Sequence, residues 1–291
     1  MITSTTQLTG LFGHPVAHSK SPQMHNAAFA HLGLDYAYLA FDVAPEAIGQ
    51  AVASIRALNL RGVNVTIPHK VAVIPYLDEL SEAARLIGAV NTIVHESGKL
   101  VGHNTDGIGY LTALREETGF DVRGKKVLLL GAGGACRAVA VQMALEGAAL
   151  VAIAARDTQK ASDLAQHIAK QTAAKTKVLS FLQQDEQEAV DTKPQTTVAD
   201  FDLIVNTTPV GMHPHTDAVP LYPAFLQKGQ LVSDLIYNPR LTRFLQEAQA
   251  RGCRISGGLG MFVHQGAHAF ELWTGIAAPT DVMRAKVESC L

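Results

Sequence analysis

Short apolar runs alternate with longer amphipathic stretches along the whole chain, the pattern of a sheet whose strands are joined by crossover helices, so the predicted fold class is α/β. In the first hundred residues, 8–12, 36–43, 62–67 and 89–95 read as strands. Segments 24–32, 46–58 and 71–86 read as helices, the first opened by Ser21-Pro22 with proline in its first turn. Polar residues stand at the strand ends, and a loop rich in serine and histidine precedes the first helix.

A second unit begins near Asp106. Here 109–117 reads as helix, 127–130 as strand, and Gly131-Ala-Gly-Gly-Ala-Cys-Arg137 turns into an alanine-rich helix ending near Glu146. A strand at 150–154 and a helix at 158–171 follow; 202–206 and 231–235 are short, fully apolar strands suited to the middle of a parallel sheet. Residues 183–198 read as a polar surface excursion, and 261–272 as a last helix returning to the first domain. The domains expected are 1–106 plus 260–291, and 107–259.

Composition narrows the function classes. With 291 residues, 47% apolar and 17% charged, the chain can bury the cores of two globular domains. A formal net charge of -2 gives no overall field for a polyanion, so nucleic acid is not an expected partner. Neither a leader-like segment nor a run of bilayer length occurs, so no membrane association and a cytoplasmic location are expected. The three cysteines, Cys136, Cys253 and Cys290, are odd in number and widely spaced, which argues against a disulfide framework or a cysteine metal site. His14, His18 and His25 lack the spacing of a metal-ligand set and read as surface or packing residues; no metal is expected. His213 and His215 flank Pro214 in a predicted loop.

Two groups of residues suggest chemistry. Gly131, Ala132, Gly133, Gly134 and Ala135 sit between a strand and a helix, where small residues let the backbone approach a pyrophosphate and the helix presents free N–H groups to it. The other reading is a turn that tightens strand-to-helix packing. Cys136 lies on the same helix start, as a packed thiol or a stabilised thiolate. The second group is Ser19 and Ser21; Asn64, Thr66 and Lys70; Asn91 and Thr92; and Asn104, Thr105 and Asp106. Such hydroxyls and amides suit a polar ligand, and Lys70 with Asp106 offers a proton donor and a partner to hold it. Singly, each has a second reading as a cap, a turn residue or a solvated charge.

At this point the chain resembles the shikimate dehydrogenases over nearly its whole length. The likeness is carried by His18-Ser-Lys-Ser-Pro-Gln-Met-His-Asn26, Gly62-Val-Asn-Val-Thr-Ile-Pro-His-Lys70, Gly88-Ala-Val-Asn-Thr92, Asn104-Thr-Asp-Gly107, Gly131 to Arg137, Asn206-Thr-Thr-Pro-Val-Gly-Met212, Asp234-Leu-Ile-Tyr-Asn-Pro239 and Gly260-Met-Phe-Val-His-Gln-Gly-Ala267. The resemblance implies a substrate domain and a Rossmann domain with an open cleft between them. It implies that Ser19, Ser21 and Tyr237 hold a substrate carboxylate, that Thr66, Asn91 and Gln265 bind ring hydroxyls with Asp106 also at the substrate, and that Lys70 and Asp106 are the catalytic pair. It implies Gly131–Ala135, Arg156, Asp157, Lys160, Thr207, Met212, Gly258 and Met261 as the nucleotide site, and 3-dehydroshikimate with NADPH, in equilibrium with shikimate and NADP, as the reactants. The protein is expected to act as a monomer or homodimer.

The chain departs from the family pattern at Ala155-Arg-Asp-Thr-Gln-Lys160. An acidic residue near that strand end commonly bonds the adenosine ribose of NAD and repels a 2′-phosphate. Arg156 and Lys160 favour the phosphate instead, and Asp157 has a second role open to it as the cap of the helix at Thr158. NADP is the expected cofactor, with NAD as an alternative or second one. A quinate/shikimate dehydrogenase, and a non-catalytic nucleotide- or metabolite-sensing module, are the competing functions; an intact Lys70–Asp106 pair argues against the second.

Overall fold

The computed structural model describes residues 2–179 and 197–291. The chain divides into two compact units, 1–109 with 263–291, and 110–262. The first unit contains, in order, β1 (Gln7–Gly13), α1 (Ser21–His31), β2 (Tyr36–Asp42), α2 (Ile48–Ala57), β3 (Gly62–Val65), β4 (Glu79–Leu80), α3 (Glu82–Ile87), β5 (Thr92–Glu96) and β6 (Lys99–His103). Helix α4 (Asp106–Thr118) then carries the chain into the second unit.

The first sheet has the order β2-β1-β3-β5-β6-β4. Strand β1 pairs in parallel with β2 and β3, whereas β5 is antiparallel to both its neighbours. A two-residue turn, Ser97-Gly98 with φ 50° and 81°, joins β5 to β6; two successive positive φ values match the strand twist of a tight hairpin. Because β5 runs against its neighbours, its first residue Thr92 lies opposite Asn64 of β3 and His103 of β6. One end of this sheet thus collects the finish of two strands and the start of a third. Helix α2 buries Ile48, Val52 and Ile55 from one face into the cluster containing Val63, Val65 and Ile93, each side chain contributing about 1.5–3 kcal/mol.

The helix predicted over 71–86 does not form. Pro75 removes a backbone donor inside a short 3₁₀ turn, Ile74–Tyr76. The Asp78 carboxylate accepts the Leu100 N–H at 2.6 Å, and β4 pairs with β6. A true helix, α3, starts only after Ser81, whose side chain accepts the Ala84 N–H.

The second unit holds β7 (Lys126–Leu130), α5 (Gly134–Leu145), β8 (Leu150–Ala154), α6 (Thr158–Gln171), β9 (Lys175–Leu179), β10 (Leu203–Asn206), β11 (Leu231–Asp234), α7 (Arg243–Ala250) and β12 (Arg254–Ser256). Its strand order, β12-β11-β10-β7-β8-β9, is parallel throughout. That is the doubly wound dinucleotide-binding order, with the chain reversing direction of growth between β7 and β10, where a crevice opens at the carboxyl ends. The excursion expected at 183–198 lies outside the described residues except for Thr197 and Val198.

Helix α8 (Leu259–Thr274) spans the second crossing, and α9 (Thr280–Glu288) ends the chain. Phe270 and Trp273 are fully buried in the first unit; the Phe270 ring stacks on Phe29 at 5.0 Å and the Trp273 indole donates to the Ile93 carbonyl at 3.1 Å. No helix among the described residues is long and apolar enough to cross a membrane.

Candidate active site

The converging strand ends of the first unit assemble one continuous polar network. The Lys70 Nζ lies 2.5 Å from Asp106 Oδ2, and Asn91 Nδ2 donates to Asp106 Oδ1 at 2.8 Å. The Lys70 side chain is 27% exposed and that of Asp106 10%, so the ammonium can meet a ligand while the carboxylate is held from behind. The Lys70 backbone is fixed too, its carbonyl accepting the Val90 N–H at 2.7 Å.

Asp106 owes its place to the two residues before it. Asn104 accepts the Asp106 N–H at 3.1 Å while donating to the Ala89 carbonyl at 3.0 Å. This starts α4 three residues ahead of the predicted 109 and puts an acid in its first turn, where the helix dipole favours it. Thr105 donates its N–H to Asn91 Oδ1 at 2.8 Å and its hydroxyl to the Gln265 carbonyl at 2.9 Å. Gly109 completes the seat of Gln265: a Cβ there would sit 2.5 Å from the Gln265 nitrogen.

Behind this pair, Thr92 donates to Asn91 Oδ1 at 3.0 Å, Asn64 Nδ2 donates to Thr92 Oγ1 at 3.0 Å, and Tyr38 donates to Asn64 Oδ1 at 2.8 Å. Tyr38 is fully buried, which raises its hydroxyl pKa, and it also contacts the Ser21 side chain. Ser21 is buried, and its N–H donates to Ser19 Oγ at 3.3 Å. The structure therefore joins Ser19, Ser21, Asn91, Asp106 and Lys70 in one network, with Thr66 half-buried just past β3. Tyr38 was not singled out in the sequence, since nothing in the run YAYLAFD distinguishes a network member from a core tyrosine.

Of the histidines, His14 pairs with Asp42 at 2.6 Å on the surface. His25 is buried and stacks on Tyr38 at 4.4 Å, with neither ring nitrogen bonded among the described residues. Burial lowers its pKa to about 3, so it is a neutral packing ring.

Tyr237 belongs to the second unit, where its ring packs on Phe262 at 4.9 Å and burial raises its hydroxyl pKa. The same unit carries a groove of about 890 Å³ walled by Gly131, Ala132, Gly133, Arg156, Asp157, Lys160 and Thr207. Thr208, Pro209, Val210 and residues 219–222 also line it and were not anticipated from sequence. Gly134 and Ala135 open α5 without lining the groove, and Met212, Gly258 and Met261 are not among its walls. A Cβ at Gly258 would run into the Leu235 carbonyl, so close packing is enough to explain that glycine.

The groove fits a dinucleotide phosphate. Gly131 has φ +114°, and its Cβ would lie 2.8 Å from Thr207 Oγ1, so the turn itself requires glycine. Around Gly133 and Gly134 no atom beyond the neighbouring chain comes within 4 Å of a Cβ position. Protein packing does not demand glycine there, and the turn is open to a ligand's approach. No side chain caps α5, which leaves its first N–H groups to an anion. Cys136 is fully buried, and burial pushes its thiol up to about 12, so it is a packed thiol. Asp157 is the cap of α6: its carboxylate accepts the Lys160 N–H at 3.0 Å and lies 3.2 Å from the Lys160 ammonium. The Lys160 N–H bond holds the Asp157 carboxyl below the usual range.

A doubly wound nucleotide unit, with a glycine-opened helix at its crevice and a second α/β unit bearing a lysine–carboxylate pair, defines a two-unit nucleotide-dependent oxidoreductase. Family models agree: the shikimate dehydrogenase substrate binding domain matches residues 11–93, shikimate/quinate 5-dehydrogenase 113–190, and the shikimate 5'-dehydrogenase C-terminal domain 258–288. The chain belongs to the shikimate dehydrogenase family. It is 50% identical over 284 residues to shikimate dehydrogenase (NADP(+)) of Desulforamulus reducens, covering 97% of this chain and 95% of that one. Among solved structures it is similar to shikimate 5-dehydrogenase of Listeria monocytogenes in complex with shikimate and NAD, with 41% identity, 98% of each chain covered and TM-score 0.90. It is also similar to ligand-free 5-ketofructose reductase of a Gluconobacter strain, with 39% identity, 99% and 100% covered and TM-score 0.89.

Proposed function

We propose that the chain is an NADP-linked shikimate dehydrogenase, interconverting 3-dehydroshikimate and shikimate on the route to chorismate and the aromatic amino acids. The observation that carries this reading is the Lys70–Asp106 contact of 2.5 Å, set in a polar network built from strand ends. Lys70 gives a proton to the carbonyl oxygen as it becomes an alkoxide, and in the oxidative direction takes it back from the hydroxyl. Asp106 keeps the ammonium aimed and compensates its charge, while Asn91 keeps Asp106 from turning away. Ser19 and Ser21, at the uncapped start of α1, suit a carboxylate, with Tyr237 as the third donor.

Thr66 and Gln265 address the ring hydroxyls. Both amide hydrogens of Asn91 are engaged, by Asp106 and by Thr105, so its share in holding a hydroxyl requires exchange of the Thr105 bond. Binding energy gathered at the carboxylate and hydroxyls orients the reacting carbon.

Bound NADPH supplies the hydride. The backbone of Gly131–Ala135 would hold its pyrophosphate, Arg156 and Lys160 its 2′-phosphate, and Thr207, Met212, Gly258 and Met261 its nicotinamide half. Asp157 is turned to the α6 backbone and lies 3.2 Å from the Lys160 ammonium, which supports NADP over NAD. The protein acts in the cytoplasm as a monomer or homodimer.

The test is absorbance at the nicotinamide band with shikimate or quinate, each paired with NADP or NAD. The expected result is highest kcat/KM for shikimate with NADP. Faster turnover of quinate moves the chain to the quinate enzymes, and no turnover with either substrate makes it a sensing module.

A further inference from the structure

We propose that Asp234 is a positioning residue that sets two functional segments at once, the 207–210 wall of the nucleotide groove and the turn that carries Tyr237. The proposal deepens the reading given above and rests on it for the role of Tyr237.

Asp234 ends β11 with no exposed surface, and its carboxylate takes three neutral donors. Asn206 Nδ2 and the Ile236 N–H reach Oδ1 at 3.1 and 3.0 Å, and the Thr242 hydroxyl reaches Oδ2 at 2.8 Å. Burial raises its carboxyl to about 6. A carboxylate in such a place is costly unless every lone pair is used, and this one is used by residues leading to two different places.

The first direction runs through Asn206, which lies beside Asp234 in the parallel register of β10 and β11 and is itself fully buried. Its Nδ2 also donates to the Val210 carbonyl at 3.1 Å, and its Oδ1 accepts the Thr208 N–H at 3.0 Å and the Thr208 hydroxyl at 2.7 Å. Thr207, Thr208, Pro209 and Val210 line the groove. An amide has a donor end and an acceptor end, and an ionised carboxylate accepts only. Asp234 therefore fixes which end of Asn206 faces it, and so which end faces Thr208. The second direction runs through the Ile236 N–H, one residue before Tyr237. An apolar side chain at 234 removes this selectivity, because it offers neither Asn206 nor the Ile236 N–H an acceptor, whereas an amide could keep its oxygen on both and turn its NH₂ to the Thr242 hydroxyl.

The experiment compares four variants of the full chain by melting temperature, NADPH affinity from nucleotide fluorescence, and KM for shikimate. Asp234→Leu should weaken NADPH and raise the shikimate KM together, each about tenfold, the size of one lost hydrogen bond of about 1.4 kcal/mol. Asn206→Leu should weaken NADPH alone, and Tyr237→Phe should raise the shikimate KM alone. Thr242→Val removes the Oδ2 bond and the α7 cap but leaves both Oδ1 bonds, so it should lower the melting temperature and leave both affinities within twofold.

If Asp234→Leu melts lower yet keeps both affinities, or loses only one, the proposal is overturned. Should Asp234→Leu not fold, Asn206→Leu decides: unchanged NADPH affinity there overturns it. An inactive parent that still binds NADPH strikes the substrate reading, while the nucleotide limb is still measured by fluorescence.

Discussion

Lys70 Nζ and Asp106 Oδ2 are 2.5 Å apart, and the other Asp106 oxygen is held independently by Asn91. Removing the lysine therefore leaves the carboxylate anchored and the cup around it intact. Lys70→Ala should cut kcat by ~10²- to 10⁴-fold while the shikimate KM changes little. Steady-state kinetics at saturating NADP check this, and near-parental kcat would take Lys70 out of the chemistry.

Ser19, Ser21 and Tyr237 are expected to act on binding. Ser19→Ala, Ser21→Ala and Tyr237→Phe should each lower kcat/KM for shikimate through KM, by roughly 1.5–3 kcal/mol per charge-assisted hydrogen bond. An analogue lacking the carboxylate should react almost alike with variants and parent. Equal losses for the analogue and shikimate would refute the clamp.

Asp157 and Arg156 are adjacent but engaged differently, since the aspartate is committed to the start of α6. Asp157→Ala should lower the melting temperature through the lost cap and shift the NADP-to-NAD ratio only modestly. Arg156→Ala should weaken NADP far more than NAD. A collapse of NAD use in Asp157→Ala would show that the carboxylate serves the ribose after all.

His25 gives the fold an acid-sensitive point. Its pKa falls from 6.5 to about 3 on burial, so the folded state favours the neutral ring. The stability it contributes is complete above pH 6.5 and is lost as the pH falls toward 3, at about 1.4 kcal/mol per pH unit. His25→Leu should flatten unfolding free energy against pH between 6.5 and 4, measured by urea titration. An unchanged slope would assign the acid sensitivity elsewhere.

Much of this architecture was legible where local signals were strong. The α6 limits, Thr158–Gln171, match the reading from its cap and periodicity, and the strands of the parallel sheet stand out because both faces are buried. Edge elements were missed for the opposite reason: β9 carries lysines at alternate positions, β12 has three residues, and β4 has two. Strand β6 was readable from the Ser97-Gly98 turn signal, and α7 from its Thr242 cap, but neither was predicted. In the site, residue types suggested a polar ligand and a proton donor. The links among them depend on β5 running backwards, which no local pattern states.

The hydrogen bonds behind Asp106 all point the same way. From Tyr38 to Asn64, to Thr92, to Asn91 and to Asp106, each residue donates to the next: the two asparagines receive on oxygen and give through nitrogen, Thr92 does both through its hydroxyl, and Asp106 only accepts. The bond dipoles add, and their positive ends face the carboxylate before any substrate arrives. Such a series has a sense of direction that volume does not capture. Asn64→Asp, nearly the same size, would put an acceptor where Thr92 needs a donor, and the threonine hydroxyl would be drawn back toward residue 64. The tolerance of these five positions to substitution is therefore set by polarity along the line, and a change four bonds away from Lys70 can be felt as a change in its partner's charge.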